Sequence, residues 1–259
     1  MVSIIEKKLV VFDLDGTLAE SKAIMDSEMS GLLVRLLKQR PVAVIGGGAF
    51  YKFKEQFIDT FQCPDELKER LLLFPTSAAR CYRFQKGAWQ EVYADLIPEA
   101  DRAAIQTAFS RAFMETGYTH PSTVYGDIIE DRGTQVTFSA LGQEAPVELK
   151  KAWRGSAADK RAALKVVLDR ELPNFEVRIP GYTSIDVTKK GIDKAYGIVQ
   201  IEQQMGVAPS EMVFVGDALD EGGNDYPVKA AGVDCVAVDG PTETKQIVKN
   251  WLDTLETAL

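Results

Sequence analysis

Val10-Val11-Phe12-Asp13-Leu14-Asp15-Gly16-Thr17-Leu18 is the stretch whose reading decides the fold. Leu9 to Phe12 suit a buried strand, and they deliver two carboxylates, a glycine and a hydroxyl to a point where the backbone must turn. In an open α/β sheet, ligands gather at the carboxyl ends of the strands, so acids concentrated there read as a site. The competing reading is a plain strand followed by an Asp-Gly turn. The rest of the chain chooses between them.

Downstream, Asp26 to Lys38 places Met29, Leu32, Leu33, Leu36 and Leu37 near helical spacing, and Pro41 to Ile45 is a second buried strand running into Gly46-Gly47-Gly48. Strand, helix and strand begin a parallel sheet with a right-handed crossover. The three glycines either let a phosphate approach backbone amides or simply make a turn. Phe50 to Thr60 and Asp65 to Leu71 read as helical, and Leu71 to Phe74 is a third apolar segment. The pattern then changes. Arg80 to Phe84 and Ala88 to Val92 read as a hairpin around Lys86-Gly87, followed by a helix over Pro98 to Thr116. Gly133 to Ala140 alternates as a one-sided antiparallel strand. Ser156 and Asp159 resemble a capping box opening a helix over Ala157 to Glu171, and Phe175 to Ile179 and Thr183 to Val187 are short strands. After Gly191 the first pattern returns: a helix over Ile192 to Met205 closed by Gly206, and a strand Met212 to Val215 ending in Gly216-Asp217. A loop containing Gly222-Gly223-Asn224-Asp225 leads to a short helix up to Ala231, a strand Cys235 to Val238 and a last helix from Thr242 to Leu255. The fold class is therefore α/β: a Rossmann-like parallel-sheet core, residues 1–84 and 188–259, with an inserted α+β domain, residues 85–187.

Composition narrows the function. A formal charge of −8 on 259 residues argues against nucleic acid or an anionic membrane as the main partner, while an anionic small molecule remains compatible if a metal or local cations offset the field. No run approaches the roughly 18 apolar residues of a membrane helix, and the first eight residues, with Glu6, Lys7 and Lys8, lack a signal-peptide core, so a cytoplasmic location is expected. Cys63, Cys81 and Cys235 form no CxxC pair and read as free thiols, and the single His120 offers no triad or zinc site. A homodimer is left open.

Two strands far apart in sequence both end in carboxylates, Asp13 with Asp15 and Asp217 with Asp225 nearby. If both are central to one sheet, the acids converge and need a cation. Mg²⁺ fits, held by Asp13, Asp15, Asp217 and Asp225, because it takes oxygen ligands and is commonly shared with substrate phosphate. A carboxylate beside that ion can attack phosphorus, a second carboxyl two residues on can protonate the leaving oxygen, and Lys194 near a helix start offers a fixed cation for the transferring group.

Asp13-Leu14-Asp15-Gly16-Thr17, Lys194 in Gly191-Ile192-Asp193-Lys194, and Gly216-Asp217 with Asn224-Asp225 resemble the haloacid dehalogenase (HAD) superfamily of phosphotransferases. The resemblance implies Asp13 as nucleophile, Asp15 as general acid/base, Lys194 as the phosphate-stabilising lysine and Asp217 as a Mg²⁺ ligand. Gly46-Gly47-Gly48-Ala49-Phe50 followed by Lys54-Glu55-Gln56, Arg132-Gly133-Thr134, Thr183-Ser184-Ile185-Asp186-Val187, Gly191-Ile192-Asp193-Lys194-Ala195-Tyr196 and Gly222-Gly223-Asn224-Asp225 look more narrowly like the eukaryotic-type phosphomannomutases. That likeness implies a cap formed by the insertion, with Arg132, Ser184 and Asp186 contacting a sugar phosphate and Gly47 and Gly48 near the transferring group. Two departures stand out. Gly48 occupies the place of a Ser or Thr hydroxyl, and Ser139-Ala140 stand where the mutases carry an Arg-Asn pair. A mutase must also hold a second phosphate, so the expectation is a Mg²⁺-dependent phosphatase of a sugar phosphate. The alternative is a phosphomannomutase or related hexose-phosphate mutase, and behind it stands a catalytically idle binding protein.

Overall fold

In the computed structural model, which describes residues 2–257, strand β1 (Leu9–Asp13) is buried along its whole length. It is followed by α1 (Ser27–Gln39), β2 (Val42–Ile45), α2 (Phe50–Gln56), the short α3 (Asp65–Lys68), β3 (Leu71–Phe74), and the hairpin β4 (Arg80–Gln85) and β5 (Ala88–Ala94). The inserted stretch contributes α4 (Glu99–Thr116), β6 (Ile129–Asp131), β7 (Gln135–Ser139), α5 (Val147–Trp153), α6 (Arg161–Glu171), β8 (Phe175–Arg178) and β9 (Ser184–Lys189). The chain then returns with α7 (Lys194–Met205), β10 (Met212–Gly216), α8 (Tyr226–Ala230), β11 (Asp234–Ala237) and α9 (Pro241–Thr257). Two units result, Met1–Ala94 with Asp193–Leu259, and Asp95–Ile192.

The first unit is a seven-stranded sheet in the order β11-β10-β1-β2-β3-β4-β5, with β1 flanked by β10 and β2, both parallel to it. Side chains alternate across a strand, so each apolar run feeds two cores. Val10, Phe12, Val42, Val44, Val213 and Val215 enter one core with the face of α1 that carries Met29, Leu32, Leu33, Leu36 and Leu37. Leu9, Val11, Ala43, Ile45, Met212 and Phe214 enter the other, with Ile198 and Ile201 of α7. Burying side chains of this size contributes about 1.5–3 kcal/mol each, which makes the sheet a rigid platform for whatever stands at its carboxyl edge. Asp26 lies just outside α1 and caps it, accepting the Met29 N–H at 2.9 Å.

The hairpin corrects the expected domain boundary. A cut at residue 85 separates β4 from β5, whereas β4 pairs antiparallel with β3 and both strands extend the core sheet. Cys81 and Phe84 are buried, and Tyr82 stacks on Phe50 with ring centroids 3.8 Å apart. The insertion therefore begins at Asp95 and ends at Ile192.

In the inserted unit an antiparallel sheet β6-β7-β9-β8 packs Val136, Phe138, Val177, Ile185 and Val187 against Phe109 of α4 and Leu164 and Leu168 of α6. Its other face carries Gln135, Thr137 and Ser139, expected to be solvated; all three are buried, and hydrogen bonds to one another and to neighbours offset part of the cost of burying them. Gln135 donates to Thr137, Thr137 donates to Asp186, and Ser139 bonds Thr183. The expected capping box does not form. Asp159 instead accepts from the Gly155 and Arg161 backbone N–H groups and from the Arg161 guanidinium, and α6 starts at Arg161. Neither β6 nor α5 was anticipated. Among the described residues, no helix is long and apolar enough to cross a membrane.

Candidate active site

Three elements of the first unit bring the acids together. Asp13 is the last residue of β1, Gly216 ends the adjacent β10 so that Asp217 follows it, and Asp225 precedes α8 without capping it. Carboxylate oxygens of Asp13, Asp217 and Asp225 lie within 4.8 Å of one another. Two glycines make this approach geometrically feasible. A Cβ on Gly16, whose φ is +84°, would meet an Asp217 oxygen at 2.3 Å, and a Cβ on Gly216 would meet an Asp225 oxygen at 2.3 Å.

Lys194 opens α7, whose N-cap Asp193 accepts the Tyr196 N–H at 2.9 Å. Its ammonium is buried between two of the acids, 2.5 Å from Asp13 and in a short contact with Asp225. Burial opposes its charge, but the two carboxylates outweigh burial and raise its pKa, so Lys194 stays protonated. Asp13 is pushed well above the ordinary carboxylate range, first by burial and then by Asp225 and Asp217, with Lys194 pulling the other way. Asp217 is exposed at its edge, yet packing around the carboxyl and the charge of Asp225 raise it too. Asp225 also accepts the Ala218 N–H at 3.0 Å.

Three carboxylates against one ammonium leave a deficit of two positive charges, the charge of one divalent cation. The donors are hard oxygens, which suit Mg²⁺, so the residues present fit the ion that sequence analysis expects here. A thermal shift checks this. Mg²⁺ is expected to raise the melting temperature, by about 2.7 kcal/mol of added stability at a hundredfold excess over its Kd. Because Asp13 and Asp217 titrate above their unfolded values, their ionised forms weaken the fold as pH rises through the folded pKa. The benefit of Mg²⁺ therefore shrinks toward acid, and Asp217→Asn should reduce it at neutral pH.

Asp15, also expected as a ligand, lies outside this group. Its carboxylate accepts the Lys22 N–H at 2.6 Å and Gln56 Nε2 at 3.4 Å. Gln56 belongs to the Lys54-Glu55-Gln56 stretch of the family likeness, which attaches no role to it, and Lys22 carries no sequence signal. Lys22 acts through its backbone, at φ +62°, and Gln56 is a buried amide in an otherwise ordinary helix. At the end of β2, Gly46 donates its N–H to Phe74 and accepts from Ser77, while Gly48 accepts from Thr76. In the inserted unit, Arg132 is held by Glu130 through bonds of 2.9 and 2.6 Å, with side chains only 8% and 14% exposed. Asp186 accepts from Thr137 at 2.8 Å, and Ser184 stands opposite Ser139 in register. Glu130 is a partner that the Arg-Gly-Thr resemblance gave no hint of.

Among solved structures the chain is similar to IMP-bound Plasmodium falciparum IMP-nucleotidase, with a TM-score of 0.72 at 12% identity over 95% of this chain and 68% of that one. It is also similar to the C-terminal domain of C. albicans trehalose-6-phosphate phosphatase, with a TM-score of 0.64 at 13% identity over 96% and 93%. At such identities the likeness shows the fold alone. In sequence, the chain is 28% identical to a phosphomannomutase of Encephalitozoon cuniculi over 257 residues, covering 95% of this chain and 94% of that protein. It is 24% identical to phosphomannomutase 1 of Homo sapiens over 232 residues, covering 87% and 84%. The profile of the eukaryotic phosphomannomutase family matches residues 29–254. On that match the chain is a phosphotransferase of HAD type, and it belongs to the eukaryotic phosphomannomutase family.

Proposed function

We propose that the chain transfers a phosphoryl group of a hexose phosphate through Asp13, with Mg²⁺ held by Asp13, Asp217 and Asp225. The observation that carries the reading is Lys194 buried between Asp13 and Asp225, beside Asp217, with two positive charges still wanting. When bound, Mg²⁺ supplies charge neutralisation for the phosphoryl oxygens. The Asp13 carboxylate attacks phosphorus, a P–O bond to Asp13 forms, and the bond to the sugar oxygen breaks. Asp15 donates a proton to that leaving oxygen and then takes one from the acceptor hydroxyl. Its contacts to Lys22 and Gln56 hold it at this task, apart from the carboxylate cluster. Lys194 stabilises charge on the transferring group, and the amides of Gly47 and Gly48 hold its oxygens.

The acceptor distinguishes two readings. The residues alone favour water as acceptor over a sugar; the family and the names of the relatives reverse that order, so exchange of phosphate within hexose phosphates is the leading reading. Hydrolysis is kept as the second because of the Arg132–Glu130 pair. A guanidinium already neutralised by a neighbouring carboxylate is a weak holder for a second phosphate. The test incubates the protein and Mg²⁺ with a panel of hexose monophosphates, with and without a hexose bisphosphate, and follows isomer conversion and free phosphate together. Conversion without net release supports exchange, release supports hydrolysis, and turnover of no ester overturns both. We place the reaction in the cytosol.

Gly48→Ser is expected to raise activity. The φ of Gly48 lies outside the left-handed region, and a Cβ there meets Lys52 Cβ at 3.2 Å, a close contact that α2 relieves by yielding a few tenths of an ångström. A restored hydroxyl bond to a charged phosphate contributes about 1.5–3 kcal/mol, enough for roughly a tenfold or greater gain in kcat/KM.

A further inference from the structure

Pro75-Thr76-Ser77-Ala78 leaves β3 at the sheet's carboxyl edge with three consecutive non-glycine residues at positive φ, +51°, +54° and +71°. L residues other than Gly, Asn and Asp rarely enter this region, and β-branched threonine least of all. Such a run persists only where its surroundings determine it, and those surroundings cluster at functional sites. Here they are specific. Thr76 N–H donates to Gly48 O at 2.9 Å, Ser77 N–H donates to Gly46 O at 2.9 Å, and Ala79 N–H donates to Thr76 O at 3.1 Å. Tyr93 Oη donates to Ala78 O at 2.8 Å, and Thr76 Oγ1 donates to Pro75 O at 2.8 Å. Thr76 and Ala78 are fully buried.

The consequence falls on the glycine loop. In a trans peptide the C=O of one residue and the N–H of the next point in opposite directions. With Gly46 O and Gly48 O drawn to the turn, the N–H groups of Gly47 and Ala49 are aimed away from it. Strand β2 lies between β3 and β1, so away from β3 is toward the side where β1 delivers Asp13. We propose that the Thr76–Ala78 turn is a positioning element, which orients the peptide planes of Gly46–Gly48 toward the phosphoryl group where position 48 lacks a hydroxyl. This rests on the phosphate-binding role proposed above for the glycine loop, of whose amides the Gly46–Gly47 and Gly48–Ala49 peptide planes are the ones the turn fixes.

The experiment compares wild type, Ser77→Gly and Ser77→Ala. Glycine frees the turn to leave the left-handed region, whereas alanine keeps the restriction and removes only the hydroxyl. Calorimetry with inorganic phosphate and Mg²⁺ is combined with kcat and KM on a hexose phosphate and with melting temperatures. Ser77→Gly is expected to weaken phosphate binding and raise KM about fivefold, with kcat changed much less and the melting temperature nearly unchanged. Ser77→Ala is expected to match wild type. A Ser77→Gly protein that binds phosphate as tightly as wild type overturns the inference, and so does an equal loss in Ser77→Ala. A wild type that binds no phosphate with Mg²⁺ sinks the proposed function and this inference together.

Discussion

Asp13→Asn is expected to lose about three orders of magnitude or more in turnover and yet to melt at a higher temperature than wild type. The loss follows from the proposed nucleophile: an amide does not form the acyl phosphate. The gain follows from the surroundings of Asp13, whose pKa is raised by burial and by two neighbouring carboxylates. A raised folded pKa means that the ionised form weakens the fold at neutral pH, and a neutral residue of the same shape removes that burden. For a chain of this size each kcal/mol recovered moves the melting temperature by about 2–4 °C. The gain should fade toward acid, where wild-type Asp13 is itself protonated. Steady-state kinetics and thermal melts at several pH values check both halves. Undiminished Mg²⁺-dependent turnover in the variant would rule out transfer through Asp13.

Lys194→Met is expected to produce the largest loss of stability. The side chain fits the space, but Asp13 and Asp225 are left buried without their cation. Breaking a buried ion pair from one side costs about 3–5 kcal/mol, or roughly 6–20 °C in melting temperature here. The pH dependence has a definite sign. Without Lys194, the Asp13 pKa rises further, so the variant keeps its stability below the unfolded carboxylate value near 3.9 and loses it as pH rises through the folded one. Its deficit against wild type is therefore widest at neutral pH and narrows in acid. Adding Asp225→Asn to Lys194→Met should recover part of the loss, since it removes one of the stranded charges. Denaturant titrations of the single and double variants measure this coupling. A Lys194→Met protein as stable as wild type at pH 7 would contradict the buried triad.

The core was legible because its signals are local. Leu9 to Phe12, Pro41 to Ile45 and Met212 to Val215 are unbroken apolar runs of the kind that only a doubly covered parallel strand requires, and Asp13 and Asp217 stand at their ends. The hairpin was legible as a hairpin, but its allegiance was not: whether β4 joins the core or the insertion depends on β3, which its own residues do not encode. Strand β6 has only three residues and α5 seven, too short for periodicity to show. At the site, residue types announced Asp13, Asp15, Lys194 and Asp217. What escaped was the partner that each charged group takes. Asp15 turns to the Lys22 backbone and Gln56 rather than joining the other acids, and Arg132 is claimed by Glu130 two residues away. The choice of Asp15 is settled by three-dimensional neighbours, whereas Glu130 and Arg132 stand two residues apart, a spacing that puts both side chains on one face of an extended chain.

The position of β1 between β2 and β10 also governs the order in which the protein can be completed on the ribosome. One edge of β1 finds β2 almost at once, but the other waits for Met212–Gly216, and the acids that complete the cluster come later still. At bacterial-to-eukaryotic elongation rates of about 5–20 residues per second, that edge stays without its partner strand for roughly 10–40 s of synthesis. During that interval the nascent chain carries an open apolar strand and no assembled site.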